Sequence, residues 1–249
     1  MSVLYGKPES LNDVPFTFCP GCTHGLTLKL VASVIDEMDM GDDTISVGCV
    51  GCGGYMPWFM NVDTIFSLHG RAPANATGVK RMNPDKLVFT YQGDGDLASI
   101  GTAEIIHAAH RGEKFTTIFV NNTTYGMTGG QMAPTTLIGQ KTTTSPYGRD
   151  AGLCGQPLHI CELLSTIDGA KYIERVAVDS PVSVRKAKKA IRKAFECQMA
   201  GAGFSLIEIL STCPTNWGMS PLESLERIRT EMIPAYPLGV FKDWEEGDK

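Results

Sequence analysis

Four of the eight cysteines form two C-x2-C pairs near the start of the chain. Cys19 and Cys22 stand in CPGC, and Cys49 and Cys52 stand in CVGC. Thiolates at this spacing bind zinc in structural sites and iron in iron–sulfur clusters, so the spacing alone leaves both metals open. No signal peptide is predicted, and eight cysteines in a chain of 249 residues then favour metal binding or redox chemistry over a disulfide scaffold.

A second group of polar residues follows two predicted strands. GDGD at residues 93–96 ends the first strand, and Asn121 and Asn122 end the next. Glycine lets the backbone approach a bulky anion, while Asp94 and the Asn122 amide offer the hard oxygen ligands that Mg2+ prefers beside phosphate. Ligands of open α/β sheets bind beyond the carboxyl ends of the strands, where both motifs are expected. The sequence therefore predicts a site for Mg2+ and a diphosphate.

Each of these two motifs, taken alone, is typical of an ordinary turn, because Asp, Gly and Asn are the commonest turn residues. A glycine–aspartate turn and an asparagine pair that each follow a predicted strand are harder to obtain by chance, and we favour the functional interpretation. No G-x-G-x-x-G opens a helix after a strand, so a dinucleotide-binding fold has little support.

Alternating strands and helices position these motifs. The sequence predicts a strand at residues 87–91, a helix at 97–111 and a strand at 116–120. The handedness rule makes this unit a right-handed parallel crossover, so both strands end at the same sheet edge. A helix with Thr23 as its N-cap follows the first cysteine pair, and the alternation continues to residue 210. We therefore predict an α/β protein with a single doubly wound, mostly parallel sheet and helices on both faces.

The chain length and charge limit the remaining possibilities. We expect one α/β domain at residues 1–220, followed by a C-terminal helix and extended tail at 221–249. A net charge of −5 and a sequence pI of about 5.6 lack the basic excess that nucleic-acid binding requires. No run of about 18 apolar residues indicates a membrane span. We expect a cytoplasmic protein with neither nucleic acid nor membrane as a partner.

QGDGDLASIGTAEIIHAAHRG, followed by FVNNTTYGMTGGQ, resembles the thiamine diphosphate motif of 2-oxoacid:ferredoxin oxidoreductase β subunits. The resemblance runs over nearly the whole chain and implies the diphosphate-binding half of the thiamine diphosphate-binding fold. It implies that Mg2+ is held by Asp94, Asn122 and the carbonyl of Thr124. It also implies a set of residues around the cofactor, namely Cys52, His69, Gly93, Asp94, Gly95, Asp96, Asn122, Thr124, Gly126, Met127 and Thr128.

The same resemblance assigns the cysteines. It implies a [4Fe-4S] cluster within residues 1–220, and its ligands are Cys19, Cys22, Cys52 and Cys213, the last in LSTCPTNW. Cys49 is a departure, because the family turn usually has one cysteine where this chain has two. Alignment of GCGGYMPWF with that turn favours Cys52 over Cys49 as the third ligand.

The activity implied by the resemblance is oxidative decarboxylation of a 2-oxoacid to acyl-CoA and CO2, with electrons passed through the cluster to ferredoxin. QGDGDLASIGTAEI, GQMAPTT, KTTTSPYGRD and LSTCPTNWG are most similar to the branched-chain, 2-oxoisovalerate type. Pyruvate and 2-oxoglutarate stay open as substrates. The implied partners are an α subunit that binds the pyrimidine and supplies the activating glutamate, and ferredoxin-like γ and δ subunits. Two other classes compete: a zinc-stabilised binding module and a subunit of a non-oxidative thiamine enzyme.

Overall fold

The fold is built on a seven-stranded sheet with strand order β2-β1-β3-β4-β6-β5-β7. The computed structural model describes residues 6–245 and residue 247. The strands are β1 (Thr44–Gly48), β2 (Asp63–Phe66), β3 (Leu87–Gly93), β4 (Thr116–Asn121), β5 (Ala170–Ala177), β6 (Phe204–Leu210) and β7 (Gly239–Lys242). Among these described strands only β7 runs antiparallel to its neighbour, β5, and all other pairings are parallel.

The connections between the strands are largely helical. The helices are α1 (His24–Glu37), α2 (Met56–Phe59), α3 (Ala72–Met82), α4 (Thr102–His110), α5 (Ala151–Cys154), α6 (Ile160–Ser165), α7 (Pro181–Met199), α8 (Pro214–Trp217), α9 (Pro221–Arg227) and α10 (Ile233–Ala235). A 3-10 turn at Cys52–Tyr55 precedes α2, and π-type turns lie at Asp96–Ile100 and Ile228–Met232. None of the described helices has the length and apolar composition that crossing a membrane requires.

Two apolar clusters cover the two faces of the sheet. Leu87, Phe89 and Tyr91 of β3 pack in one cluster with α1 and α7. Val88, between them in sequence, packs in the other cluster with α3, α4 and α6. Successive strand residues point to opposite faces, so a strand covered on both sides is apolar at nearly every position. The predicted doubly wound, mostly parallel sheet is confirmed.

The chain between β3 and α4 departs from the prediction of one continuous helix at residues 97–111. The backbone N–H of Gly101 donates to the carbonyl of Asp96, which is the hydrogen-bond spacing of a π-helix. The α-helix α4 begins only at Thr102. A Cβ at Gly101 would lie 2.9 Å from the Gly70 carbonyl oxygen, so the turn brings two backbone segments together. The prediction is wrong at the helix start because this contact, between segments far apart in sequence, leaves no periodic signal.

The segment after residue 220 contains α9, α10 and β7. Its last strand pairs with β5 at the edge of the sheet, through the register Glu174 to Val240 and Arg175 to Gly239. The predicted extended tail thus contributes a strand, and the boundary at residue 220 stays a prediction.

Candidate active site

A cavity of about 130 Å³ lies at the carboxyl ends of the central strands. β1, β3, β4 and β6 run in the same direction, so their carboxyl ends meet at this edge. The structure brings every predicted cofactor-binding residue to the wall of this cavity, namely Cys52, His69, Gly93, Asp94, Gly95, Asp96, Asn122, Thr124, Gly126, Met127 and Thr128.

Asp94 is a buried carboxylate in the cavity wall, with 3% of its surface exposed. One carboxylate oxygen accepts a hydrogen bond of 2.9 Å from the Gly95 N–H. The other accepts from the Thr124 N–H at 3.1 Å and from the Thr135 hydroxyl at 2.8 Å. Burial raises the pKa of the Asp94 carboxyl to about 6, because removal from water penalises the charged form. A cation beside this carboxylate would favour the charged form.

The turn after β4 is held in an unusual backbone conformation. Thr123 has a φ of 60°, which is rare for a β-branched residue. Its N–H donates to the Asn121 side-chain oxygen at 3.1 Å, and its carbonyl accepts from Thr136 and Gln140. The Asn122 side-chain oxygen accepts from the Thr124 N–H at 3.2 Å. These bonds fix Asn122 and Thr124 beside Asp94, as the strand–helix–strand pattern predicts.

Asp96 connects three loops around the cavity through hydrogen bonds. One of its carboxylate oxygens accepts from the backbone N–H of Gly70 at 2.9 Å and of Val50 at 3.3 Å, and lies 2.5 Å from His69 Nδ1. The other accepts from the Gln92 amide at 2.7 Å. Asp96 therefore shapes the cavity wall, and His69 reaches the site through its bond to this carboxylate.

Cys52 and Cys213 lie beside the cavity, and Cys19 and Cys22 lie near enough to interact with them electrostatically. A Cβ at Gly126 would lie 3.1 Å from Cys52 Sγ and 3.6 Å from Cys213 Sγ. Burial raises the pKa of the Cys22 thiol to about 12. Three neighbouring thiolates add to this rise, those of Cys213, Cys52 and Cys19. Cys213, which lies outside both C-x2-C pairs, is thus near Cys22 and Cys52, one cysteine from each pair.

Hydrogen bonds between distant segments hold Cys22 beside Cys213. The Thr23 hydroxyl oxygen accepts from the Thr212 N–H at 3.1 Å and lies 2.6 Å from the Ser211 hydroxyl. The Thr212 hydroxyl donates to the Gly21 carbonyl at 2.7 Å. Thr23 is the N-cap residue of α1, as predicted, but its side chain makes no cap hydrogen bond. Its hydroxyl instead joins the CPGC turn to the end of β6.

Comparison with known proteins identifies the family. The family model of the thiamine pyrophosphate enzymes, C-terminal TPP binding domain, matches residues 47–209. The chain is 45% identical over 248 residues to ketoisovalerate oxidoreductase subunit VorA of Methanothermobacter marburgensis, covering 95% of this chain and 52% of that protein. It is 39% identical over 207 residues to 2-oxoglutarate synthase subunit KorB of Methanocaldococcus jannaschii, covering 82% and 72%. The chain belongs to the 2-oxoacid:ferredoxin oxidoreductase β-subunit family.

A solved structure of a family relative agrees with this assignment. This chain matches a 2-oxoglutarate:ferredoxin oxidoreductase from Magnetococcus marinus with a TM-score of 0.81 at 27% identity. The match covers 98% of this chain and 87% of that chain. That structure holds 2-oxoglutarate, coenzyme A and succinyl-CoA. The chain spans about half the length of the ketoisovalerate relative.

Cys49 is the first cysteine of CVGC and is not one of the predicted cluster ligands. Its thiol is buried, with 3% exposure, and a Cβ at Gly53 would lie 3.0 Å from its sulfur. Burial raises the pKa of the Cys49 thiol, and the charges of Asp96 and Cys52 act on it in the same direction. Cys52 is the member of CVGC whose sulfur stands near Cys213, beside Gly126. The two cysteines of CVGC thus have different surroundings, and the choice of Cys52 as the third ligand stays a prediction.

Sequence reasoning missed several residues around the cavity of this β-subunit family member. Thr135 donates to Asp94 from a long loop, and no local pattern links the two. His24 also lines the cavity, and its Nδ1 lies 2.8 Å from the Tyr91 hydroxyl oxygen. Burial lowers the pKa of the His24 imidazole to about 4, so the ring is neutral at pH 7.

Proposed function

We propose that this chain is the cofactor-carrying subunit of an enzyme that oxidatively decarboxylates a 2-oxoacid to acyl-CoA and CO2 and passes the electrons to ferredoxin. The observation that carries this proposal is the position of Gly126. This residue lines the cavity, and a Cβ there would lie 3.1 Å from Cys52 Sγ and 3.6 Å from Cys213 Sγ. The cavity and the thiols therefore share a wall.

The residues at the strand ends fit a diphosphate bound through Mg2+. Asp94 and Asn122 supply a carboxylate and an amide oxygen, and the Thr124 carbonyl supplies a third hard ligand of the kind Mg2+ prefers. Asp94 is buried and its pKa is raised to about 6, which is the state expected of a carboxylate arranged for a cation. We assign Asp94, Asn122 and Thr124 as the Mg2+ ligands.

The converging thiols fit a [4Fe-4S] cluster. Cys52 and Cys213 lie beside the cavity wall at Gly126, and Cys22 interacts electrostatically with Cys213, Cys52 and Cys19. Thiolates can hold zinc or an iron–sulfur cluster, but only the cluster could accept electrons from the neighbouring cofactor. We assign its ligands as Cys19, Cys22, Cys52 and Cys213.

Thiamine diphosphate and the cluster would each supply one part of the reaction, and residues of this chain would hold both groups in place. When bound, thiamine diphosphate supplies the electron sink for decarboxylation and the cluster supplies the exit for electrons. Asp96 fixes the loops around the cavity through four hydrogen bonds, which keeps the cofactor-side walls in position. A non-oxidative thiamine enzyme would have no use for the adjoining thiols.

Partner subunits complete the proposed enzyme. The curated relatives carry the word subunit in their names, and this chain spans 52% of the ketoisovalerate relative. Val50 and Met127 line the cavity and are 42% and 45% exposed, so one side of the cavity is available to another chain. We propose that an α subunit supplies the pyrimidine-binding domain and activating glutamate there. Ferredoxin-like γ and δ subunits would carry electrons on to ferredoxin.

The substrate we propose is a branched-chain 2-oxoacid of the 2-oxoisovalerate type. The identity to the ketoisovalerate relative is 45%, against 39% to the 2-oxoglutarate relative. The second candidate is 2-oxoglutarate, which the Magnetococcus marinus structure holds.

An anaerobic assay of the native complex tests this function. The purified complex is supplied with coenzyme A, ferredoxin and, in turn, 2-oxoisovalerate, 2-oxoglutarate and pyruvate. We expect the highest kcat/KM for ferredoxin reduction with 2-oxoisovalerate. A preference for 2-oxoglutarate would contradict the substrate assignment, and failure of all three to reduce ferredoxin would contradict the activity.

A further inference from the structure

Asn216 connects the thiols to the wall of the cavity. It lies in α8, three residues after Cys213, and its side chain is partly buried. Its amide nitrogen donates one hydrogen bond of 2.8 Å to the Gly126 carbonyl and another of 3.2 Å to Cys213 Sγ. An amide NH2 group has two hydrogens, so both are used by these two bonds.

The surroundings of Asn216 hold its side chain in this orientation. A Cβ at Gly130 would lie 3.0 Å from Asn216 Cβ and 3.1 Å from its side-chain oxygen, so the loop after Gly126 packs directly on it. The Arg227 guanidinium stacks on the neighbouring Trp217 ring, 4.3 Å from its centre, and joins α8 to α9. The Asn216 side chain is therefore packed against Gly130, within a helix that the Arg227–Trp217 contact holds to α9.

A hydrogen bond to a thiolate alters the chemistry of whatever metal that thiolate binds. An N–H donor stabilises the more negative, reduced state of an iron–sulfur cluster and so raises its potential. The bond to the Gly126 carbonyl at the same time fixes the loop that carries Met127 and Thr128 along the cavity. One side chain thus acts on both halves of the site.

We propose that Asn216 is a positioning residue that raises the potential of the cluster bound through Cys213 and fixes the cofactor loop at Gly126. This inference rests on the proposed function, because it requires a cluster on the four cysteines. It assigns to Asn216 a role in matching the cluster to the cofactor beside it.

The test compares Asn216→Leu and Asn216→Asp with the wild type in the anaerobically purified holo-complex. Both variants have a side chain of similar size, and neither can donate at neutral pH. Thr215→Ala is the control, because Thr215 is an exposed residue of the same helix. Midpoint potentials are measured by redox titration followed by electron paramagnetic resonance, and thiamine diphosphate affinity is measured on the same samples.

We expect lower midpoint potentials in both variants, weaker thiamine diphosphate binding, and wild-type values in the control. Asn216→Ser, which keeps one donor, should have an intermediate potential, and this variant carries the test if the other two lose the cluster. An unchanged potential in variants that keep a full cluster would overturn the role of Asn216. A wild-type complex without iron would instead contradict the proposed function.

Discussion

Asp94 and Thr123 are two residues at the cavity that are held in energetically unfavourable states. The Asp94 carboxylate is buried and accepts three hydrogen bonds, yet burial still raises its pKa to about 6. Thr123 has a φ of 60°, and its own hydroxyl is buried without a hydrogen-bond partner. Unfavourable features of this kind persist where the surrounding structure enforces them, and they cluster at functional sites. Both residues lie at the strand ends proposed to bind the diphosphate.

Replacement of Asp94 tests its proposed role as a metal ligand. Asp94→Asn keeps the size of the side chain and removes the negative charge, so Mg2+-dependent thiamine diphosphate binding should weaken by about tenfold or more. Cofactor affinity is measured by calorimetry with and without Mg2+, and iron content should stay at the wild-type value. Asp42→Asn, at an exposed position, is the control. Wild-type cofactor affinity in Asp94→Asn would contradict the assignment.

The two cysteines of CVGC are expected to respond differently to substitution. Cys52→Ser should abolish the cluster, because the Cys52 sulfur stands near that of Cys213 beside Gly126. Cys49→Ser should retain the cluster, because the Cys49 thiol is buried against Gly53. Iron content and the visible absorption of anaerobically purified protein distinguish the two. The opposite pattern would show that Cys49 is the ligand.

Residue-level prediction succeeded where chemistry and spacing occur together in the sequence. GDGD after one strand and the asparagine pair after the next were enough to place Asp94 and Asn122 at one cavity. Thr135 and Asn216 were not predicted, because their contacts with Asp94 and Gly126 join segments far apart in the chain. Nothing in the local pattern of either residue encodes such a contact.

A buried ion-pair network fixes the ends of β4, β5 and β6 relative to one another. Arg175 of β5 is fully buried and donates to Glu208 of β6 at 2.7 Å and to Glu162 of α6 at 2.6 Å. Glu208 also accepts from the Asn121 amide at 2.7 Å. Asn121 in turn accepts from the N–H of Thr123, so the network reaches the turn beside the cavity.

Removal of Glu208 tests this network. Glu208→Ala leaves the buried Arg175 with one carboxylate partner fewer, and breaking a buried pair in this way costs about 3–5 kcal/mol. The free energy of unfolding is measured by urea denaturation of the purified protein. Glu37→Ala is the matched control: Glu37 pairs with Lys188 and Arg192, but its side chain is 44% exposed. That surface change should cost at most about 1 kcal/mol, and equal losses in both variants would contradict the network's importance.

At the level of elements, the parallel direction of most strands follows from the alternation of predicted strands and helices. The strand–helix–strand unit around α4 has the predicted parallel pairing of β3 with β4. The π-type turn at Asp96–Ile100 was not predicted, because its cause is the contact of Gly101 with Gly70. β7 was not predicted either, because a short edge strand of four residues has little periodicity.

At the scale of the whole molecule, one chain carries both proposed centres and an open side for a partner. The cavity and the proposed cluster site are built from distant parts of the sequence, since Cys52 and Cys213 both lie near Gly126. The C-x2-C spacing is common to zinc and iron–sulfur sites, so this spacing alone left both metals open.

The most direct test of this account is the metal and cofactor content of the complex purified without oxygen. Iron, sulfide, zinc and thiamine diphosphate are measured on the same sample, relative to the amount of this chain. The account predicts about four irons, equivalent sulfide and one thiamine diphosphate per chain. Zinc in place of iron, or the absence of thiamine diphosphate, would contradict it.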